Sequence, residues 1–398
     1  MKVTPFFART RPLNRFQMWF NWDLHVVADV YTGMSEELRA TREGVSMGDM
    51  SPLSKHELSG PDAQRFLDRL VTRDMTGVEV GQVVYTPWCD ERGKVVGDGL
   101  VFRTGEDRFR ITADAQFEWL ALQAEGMDVS IGDVTDDFGL LAVQGPRSAE
   151  VMSALTGAEW ASLPFSRTRT VGVAGADVLV ARQGFTGELG FELWVPAEAG
   201  VAVWDAVTEA GGPFEIRPVG EYAIDVARVE AGFLIVGADY TGAGPDRAGS
   251  VVELSADHHA SPYEIGLGTF VDLRKDAFVG RDALAAEHDA GGPRLRLAGL
   301  ALDQSSILAA HSSGGRLPLI PNRVWWYPLP VRKGGSPIGH ATSVTWAPSV
   351  GKVVGFGHLE AGVDEGDSVD VEWAMGDATG VIPATVVPLP FLQIRRAS

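Results

Sequence analysis

A short signature that occurs twice constrains the fold of this chain more than any other feature of its sequence. Residues 58–63 (LSGPDA) and 143–149 (VQGPRSA) each join the end of a strand pattern to a Gly-Pro turn and the start of a helix. Glycine permits the sharp turn, and proline is well tolerated in the first turn of a helix. Helical spacing of apolar residues follows in both places, over 62–72 and 147–156. The repeat predicts two related α+β halves.

The last quarter of the chain has a different pattern. Strands dominate from about residue 294, and turns are predicted at Gly334-Gly335, at Gly351 and over 364–366. Many short strands with such turns are typical of a small antiparallel barrel or sandwich. Residues 286–292 read as a linker before it. We therefore predict an α+β protein, with two α+β subdomains over residues 1–285 and an antiparallel β-barrel over 286–398.

Charge and composition exclude several classes of function. The chain has 34 Lys and Arg against 53 Asp and Glu, a formal net charge of −19, which disfavours nucleic acid as a partner. No apolar run is long enough to span a membrane, and residues 1–15 lack the apolar core of a secretory signal, so we expect a cytoplasmic protein without a membrane partner. The single cysteine, Cys89, excludes an internal disulfide, and no spacing of ligand residues indicates a metal site.

The first candidate site lies in residues 85–102 (YTPWCDERGKVVGDGLVF), which predict a β-hairpin. Its second strand carries Asp98 between Gly97 and Gly99. Strand interiors disfavour both residue types, and such violations tend to occur at functional sites. The glycines would let a flat ligand approach the backbone, and Asp98 would place a carboxylate beside it. The alternative is a β-bulge with a solvated aspartate.

The second candidate site lies in residues 181–195 (ARQGFTGELGFELWV), which predict two strands joined by a Gly-Glu-Leu-Gly turn. Alternation along the second strand places Glu192 on the side opposite Phe191 and Leu193. If those two residues face the core, Glu192 faces a cleft or solvent. A carboxylate in a cleft can accept two parallel N–H groups of a planar ligand. The alternative is a surface glutamate on an amphipathic strand.

Three further segments contain polar residues that ordinary structure explains. Residues 216–233 predict a helix from about Gly220, on which Arg228 and Glu230 read as solvated charges. Residues 261–273 read as a structural loop that carries Tyr263. His258 and His259 fall in a predicted Gly/Ala/Asp-rich loop over 237–260, and one of them could act as an acid toward a substrate.

Taken together, several segments resemble the glycine-cleavage T-protein (aminomethyltransferase) superfamily. They cover the chain in order: SMGDMSPLSKHELSGPDA, YTPWCDERGKVVGDGLVF, AVQGPRSAEV, GFTGELGFEL, RVEAGF, PYEIGLGTFV, FVGRDAL and VPLPF. The resemblance implies a folate-binding region of two α+β subdomains and a C-terminal barrel arranged around a central channel. It also implies tetrahydrofolate as the cofactor.

The resemblance assigns roles to individual residues. It implies that Asp98 is the catalytic aspartate and that Glu192 binds the pterin ring of the folate. Tyr85 and Phe185 match aromatic positions that line the folate. The remaining matches are framework positions near the cofactor-binding site, at Arg182, Glu188 and Arg228.

Three departures from the family pattern bear on the reaction, and one is that PFLQIRR does not cleanly match the arginine that follows P-F-Y in the family. Ile224 stands where aminomethyltransferases have a helix arginine, and Gly97 stands where they usually have a second aspartate. The GDG signature and PYEIGLGTFV look closer to the tetrahydrofolate-dependent demethylases. We therefore expect a methyltransferase that moves a methyl group from a small O-, N- or S-methylated substrate to N5 of tetrahydrofolate. Its leaving group would need a proton, for which Tyr222, Tyr263 and His259 are the candidates.

Two alternatives stay open at this point. The first is an aminomethyltransferase or methylamine-processing enzyme that forms 5,10-methylenetetrahydrofolate. The second is a non-catalytic folate-binding assembly factor, but such relatives carry a cysteine motif that ARQGFTGELGFE lacks. The expected oligomeric state is a monomer or a homodimer.

Overall fold

The computed structural model describes residues 1–114, 116–245, 259–312, 323–375 and 378–395. The helices in these ranges are α1 (Phe7–Leu13), α2 (Met34–Glu43), α3 (Ala63–Leu70), α4 (Phe117–Gln123), α5 (Ser148–Thr156), α6 (Gly200–Gly211), α7 (Glu221–Glu230), α8 (Arg281–Asp289) and α9 (Gln304–Ser312). The strands are β1 (Lys2–Val3), β2 (Trp19–Trp22), β3 (His25–Ala28), β4 (Ser46–Asp49), β5 (Ser54–Ser59), β6 (Val83–Cys89), β7 (Val95–Gly105), β8 (Arg108–Ala113), β9 (Ser130–Asp133), β10 (Phe138–Gln144), β11 (Thr168–Val173), β12 (Ala176–Ala181), β13 (Gly190–Pro196), β14 (Arg217–Val219), β15 (Leu295–Leu302), β16 (Leu329–Lys333), β17 (Ser336–Ala347), β18 (Lys352–Glu360), β19 (Ser368–Met375) and β20 (Ala378–Val387).

Two sheets with packed helices form the α+β region, which confirms the predicted fold class. One sheet has the strand order β6-β7-β8-β5-β9, and the other has the order β11-β12-β13-β10-β4-β14. Each sheet has its own apolar core, centred on residues such as Phe66 and Trp88 in the first and Trp160 and Phe191 in the second. A third, small sheet of order β1-β3-β2 forms from the N-terminal residues.

The repeated Gly-Pro signature makes the same turn in both sheets. Strand β5 turns at Gly60 into helix α3, and strand β10 turns at Gly145 into helix α5. The φ angles of the two glycines are +133° and +126°, a conformation that favours glycine. A Cβ atom at either position would lie 2.5 Å from a backbone oxygen. The signature therefore marks a turn that only glycine fits.

The C-terminal strands form a closed barrel, as predicted, in the order β15-β18-β17-β16-β19-β20. Its interior is packed with aliphatic side chains and the indole ring of Trp373. Helix α8 extends to Asp289, so the first part of the segment 286–292 is helical and the linker prediction was wrong there. The barrel itself begins at Leu295.

Helix α7 lies between helix α2 and barrel strand β17, and this position buries both charges that the sequence placed on a solvated face. The Arg228 guanidinium donates to Asp225 at 2.8 Å, to Asp239 at 2.6 Å and to Ser343 at 2.8 Å. Glu230 accepts bonds from the backbone N–H of Ser349 and from Arg42. The prediction was wrong because the barrel covers this helix face, which a local pattern does not reveal.

We expect Arg228→Met to destabilise the protein by about 3–5 kcal/mol, because it leaves Asp225 and Asp239 buried without their cation. Chemical denaturation measures the change in the free energy of unfolding. Arg274→Met is the matched control, since Arg274 also makes a two-point contact with an aspartate, Asp272, but is 91% exposed. The control is expected to leave stability nearly unchanged. Equal losses in the two variants would contradict a special role for Arg228.

Candidate functional site

A cavity of about 730 Å³ lies where the two α+β sheets, the N-terminal strands and the barrel approach one another. Strands β6, β7, β8 and β13 contribute to its wall, together with residues 231–236 after helix α7. The barrel side is represented by Leu297, Trp326 and Leu389. Cavities of this size suit an organic molecule of cofactor dimensions.

Asp98 lines this cavity from the middle of strand β7. The register around it is regular, with Asp98 opposite Pro87, and the irregularity of this hairpin falls between Trp88 and Cys89. The bulge alternative is therefore wrong at Asp98. The Asp98 carboxylate accepts hydrogen bonds from the Tyr85 phenol at 2.6 Å and from the Tyr240 phenol. Burial raises the pKa of Asp98, and the two phenol donors oppose that rise.

The glycines that flank Asp98 have a packing role that the sequence did not predict. A Cβ atom at Gly99 would lie 2.3 Å from the Thr112 backbone oxygen on the neighbouring strand. A Cβ atom at Gly97 would meet the side chains of Gln116 and Trp88. Gly99 lines the cavity, whereas Gly97 lies outside the lining. Both residues let strand β7 pack closely against its neighbours.

Glu192 lines the same cavity from strand β13, where it lies opposite Ala142 and Ala181 of the adjacent strands. It is only 9% exposed, which excludes the alternative of a surface glutamate. Within the described residues its Oε2 atom has no hydrogen-bond partner. Burial raises the pKa of Glu192 to about 7. A buried carboxylate oxygen without a partner in the described residues is available to accept a hydrogen bond from a bound ligand.

Aromatic rings form much of the remaining wall. The Tyr85 and Phe270 rings meet edge to face with centroids 5.1 Å apart, and the Phe185 and Phe233 rings stack at 5.7 Å. Arg73 also lines the cavity, where its guanidinium lies 5.4 Å from the Phe270 ring centroid. Flat rings next to charged groups suit a planar ligand with polar edges.

Two residues assigned to cofactor binding support the cavity from outside its lining. Arg182 is buried and donates to the backbone oxygens of Ala161 and Leu163, which precede the lining residue Phe165. Arg228 is buried in the network of helix α7. Glu188, the third framework position, pairs with Arg42 at 3.1 Å.

The three candidate proton donors also lie outside the lining. Helix α7 directs Glu221, Ile224 and Asp225 to the cavity, a spacing of three and four residues that turns Tyr222 away. The Tyr222 ring packs beneath the guanidinium of Arg323 instead. Tyr263 packs in a separate apolar cluster. His259 is half-buried outside the lining, and burial lowers its pKa; His258 lies outside the described residues.

The structure adds residues that the sequence analysis did not select. Asp114, directly after strand β8, lines the cavity, and burial together with the nearby Asp23 and Asp98 raises its pKa to about 7. The Trp22 indole donates a hydrogen bond to Asp114. Tyr240 bonds to Asp98 from a segment that reads as a Gly/Ala-rich loop. These contacts join distant parts of the chain, so a local pattern carries little signal for them.

The arrangement favours recognition and stabilisation of positive charge and of N–H donors. The half-buried Asp98 carboxylate and the buried Glu192 carboxylate face one space bounded by aromatic rings. In the part of the chain that the structure covers, no cluster of three or more potential metal ligands occurs. Nor does any helix there have the length and apolarity required to cross a membrane.

Comparison with known proteins identifies matches over most of the chain. The GCVT N-terminal domain model matches residues 8–275, and the glycine cleavage T-protein C-terminal barrel domain model matches residues 321–393. An aminomethyltransferase of Desulfitobacterium hafniense is 32% identical over 378 residues, which covers 93% of each chain. An aminomethyltransferase of Thermotoga maritima is 30% identical and covers 99% of this chain and 98% of its own.

A solved structure has the same fold. The glycine cleavage system aminomethyltransferase T from Bartonella henselae superposes with a TM-score of 0.82, over 100% of this chain and 99% of that one, at 24% sequence identity. The resemblance noted from the sequence is confirmed. A family model that spans more than half of the chain, and relatives of at least 30% identity along nearly all of it, show that this protein belongs to the glycine cleavage T-protein family.

Proposed function

We propose that this protein is a tetrahydrofolate-dependent one-carbon transferase of the aminomethyltransferase type, which forms 5,10-methylenetetrahydrofolate. The observation that carries the proposal is that Asp98 and Glu192 line one aromatic cavity. The names of the relatives support this activity in preference to the transfer of a methyl group. Cytoplasmic location, a monomeric or homodimeric state and the division of the chain at residue 285 stay predictions from the sequence.

The residues of the cavity fit a reduced folate. A pterin ring presents two parallel N–H donors, and the unpartnered Oε2 atom of buried Glu192 supplies an acceptor that lacks a donor within the described residues. The rings of Tyr85, Phe185 and Phe270 offer flat apolar surface. Arg73, the cation in the lining, is suited to an anionic folate tail.

Each of the two carboxylates would have a separate task. Bound tetrahydrofolate supplies the nitrogen atoms that accept the carbon. Glu192 fixes the orientation of the ring by accepting its N–H groups. Asp98 places negative charge where positive charge develops as the carbon is transferred. The two phenols on Asp98 hold its carboxylate in one orientation.

The charge of the lining favours a cationic amine as the carbon donor. Within the described residues the lining has one guanidinium, that of Arg73, and six carboxylates: Asp23, Asp98, Asp114, Glu192, Glu221 and Asp225. Asp225 is balanced by Arg228 and Glu221 lies 3.7 Å from the Arg323 guanidinium, whereas Asp98 and Asp114 accept from neutral phenol and indole groups. An uncompensated carboxylate in a buried site attracts a cation and repels an anion. An aminomethyl group or a methylated amine meets this requirement, and a neutral ether does not.

Methyl transfer to N5 of tetrahydrofolate is a second candidate reaction, and the residue that favours it is Ile224. Ile224 contributes an apolar side chain to the cavity at the position where the family resemblance places an arginine in aminomethyltransferases. Loss of that charge suits a smaller or less polar donor than a carrier-bound aminomethyl group. An N-methylated amine would satisfy both this feature and the acidic lining.

The two candidates differ in the folate that they produce. We expect incubation with tetrahydrofolate and a panel of donors to yield 5,10-methylenetetrahydrofolate from aminomethyl donors, identified by mass spectrometry. The panel includes N-, S- and O-methyl compounds of matched size, and cationic donors are expected to react in preference to neutral ones. Formation of 5-methyltetrahydrofolate alone would overturn the aminomethyl assignment in favour of the second candidate. No folate product from any donor would overturn both.

Asp98→Asn is expected to lower turnover by about 100-fold or more, because it removes the negative charge that stabilises the transition state. Its affinity for tetrahydrofolate, measured by calorimetry, should stay within a few-fold of that of the parent. Asp107→Asn, in the exposed turn that follows strand β7, is the control and should leave both values unchanged. Unchanged turnover in Asp98→Asn would remove this residue from the mechanism.

Glu192 makes folate binding dependent on pH, because the carboxylate must be ionised to accept two N–H groups and its pKa is about 7. Calorimetry should show affinity that falls by about tenfold per pH unit below pH 7 and is constant above pH 8. Glu192→Gln should weaken binding at pH 8 by about 1–3 kcal/mol and flatten the pH dependence. A pH dependence that persists in the variant would assign it to another group.

The same substitution is expected to stabilise the ligand-free protein. The pKa of Glu192 in the folded state lies above its ordinary value of 4.5, so its favourable contribution to stability is present below pH 4.5 and is lost as pH rises through about 7. Glu192→Gln should therefore raise the free energy of unfolding at pH 8 by up to about 3 kcal/mol and have little effect at pH 4.5. Glu198→Gln, at an exposed position shortly after strand β13, is the control.

A further inference from the structure

Asp98 is held from two sides by phenols that come from different parts of the chain. Tyr85 donates to one carboxylate oxygen at 2.6 Å and lines the cavity itself. Tyr240 donates to the other oxygen but does not line the cavity, and its ring is only 1% exposed. The hydrogen bond to Asp98 therefore connects Tyr240 to the cavity.

The segment that carries Tyr240 is fixed at both ends. On one side, the carboxylate of Asp239 accepts bonds from Arg228 at 2.6 Å and from the hydroxyl groups of Thr342 and Ser343 on barrel strand β17. On the other side, the Ala243 N–H donates to the Val95 oxygen of strand β7 at 2.9 Å. Gly242 lies so close to this strand that a Cβ atom there would be 2.7 Å from the Val96 oxygen.

We propose that Tyr240 is a positioning residue that keeps Asp98 ionised and correctly oriented, and that its own placement depends on the seating of the barrel. The inference rests on the proposed function, since it concerns the carboxylate that is assigned to catalysis. Through Tyr240, the side chain of Arg228 and strand β17 contribute to activity without contact with a ligand. The sequence departs from an ordinary loop here by placing a buried aspartate and a buried tyrosine side by side.

The groups that face Asp98 determine how the loss of this phenol changes its titration. They are the phenols of Tyr85 and Tyr240 and the carboxylates of Asp114 and Asp239. The two phenols favour the ionised form of Asp98 by donating to it, whereas burial and the Asp239 carboxylate favour the neutral form. Removal of the Tyr240 hydroxyl therefore raises the pKa of Asp98.

The test compares Tyr240→Phe with Tyr31→Phe. Tyr31 is a buried tyrosine whose hydroxyl bonds to Thr10 and whose side chain lies outside the cavity lining. In Tyr240→Phe, the acid limb of the pH profile of kcat, measured at saturating tetrahydrofolate so that ionisation of Glu192 does not set it, should move up by about one pH unit, while KM for tetrahydrofolate at pH 8 changes less than threefold. The control should keep the parent profile. An unchanged profile in Tyr240→Phe, or an equal shift in both variants, would overturn the proposal.

A second readout separates this proposal from the proposed function. The ¹³Cγ signal of Asp98, identified by its absence in Asp98→Asn, is titrated by NMR in the ligand-free protein. We expect a midpoint that is about one pH unit higher in Tyr240→Phe than in the parent and in Tyr31→Phe. An unaltered midpoint would overturn the proposed positioning role of Tyr240 even in an active enzyme. Absence of folate products in the parent would overturn the proposed function and leave the titration to decide the role of Tyr240.

Discussion

The buried ion pair between Arg228 and Asp239 is the contact on which the geometry of the site depends. Both side chains are fully inaccessible, and the guanidinium also reaches Asp225 and Ser343. A charge in such a place is stable only while each partner stays present, because the attraction between the ions offsets the cost of removing them from water. The barrel, helix α7 and the segment after it are therefore held in one arrangement, and a shift of any of them would leave a buried charge without its partner.

A few direct contacts connect this ion pair to the cavity. Asp239 precedes Tyr240, and Tyr240 donates a hydrogen bond to Asp98. Asp225, which lies on helix α7 with Arg228, lines the cavity directly. On the far side, the regular pairing of strands β10, β12 and β13 places Glu192 in the wall. The two carboxylates thus belong to different sheets, and their common cavity exists only because both sheets and the barrel are packed together.

The sequence predicted those parts of the molecule that depend on local rules. Alternation along strand β13 placed Glu192 opposite the core residues Phe191 and Leu193, and the rule-breaking Gly-Asp-Gly marked Asp98. Local patterns failed where long-range packing decides the outcome. Arg228 and Glu230 look like surface charges until the barrel covers them, and Tyr222 is turned from the cavity by helical spacing. Asp114 and Tyr240 reach the site through contacts between segments far apart in sequence.

The polar groups of the cavity are arranged at a cost to the stability of the free protein. Glu192 and Asp114 both have a pKa of about 7 because burial disfavours their charged forms. Neutral phenol and indole donors surround Asp98 and Asp114 where arginine or lysine would stabilise the fold more strongly. A resident cation would neutralise the field that a cationic donor meets, whereas neutral donors orient the carboxylates and leave their charge available. The absence of a salt bridge between Asp98 and any described lysine or arginine is therefore consistent with a site that stabilises positive charge only when a ligand brings it.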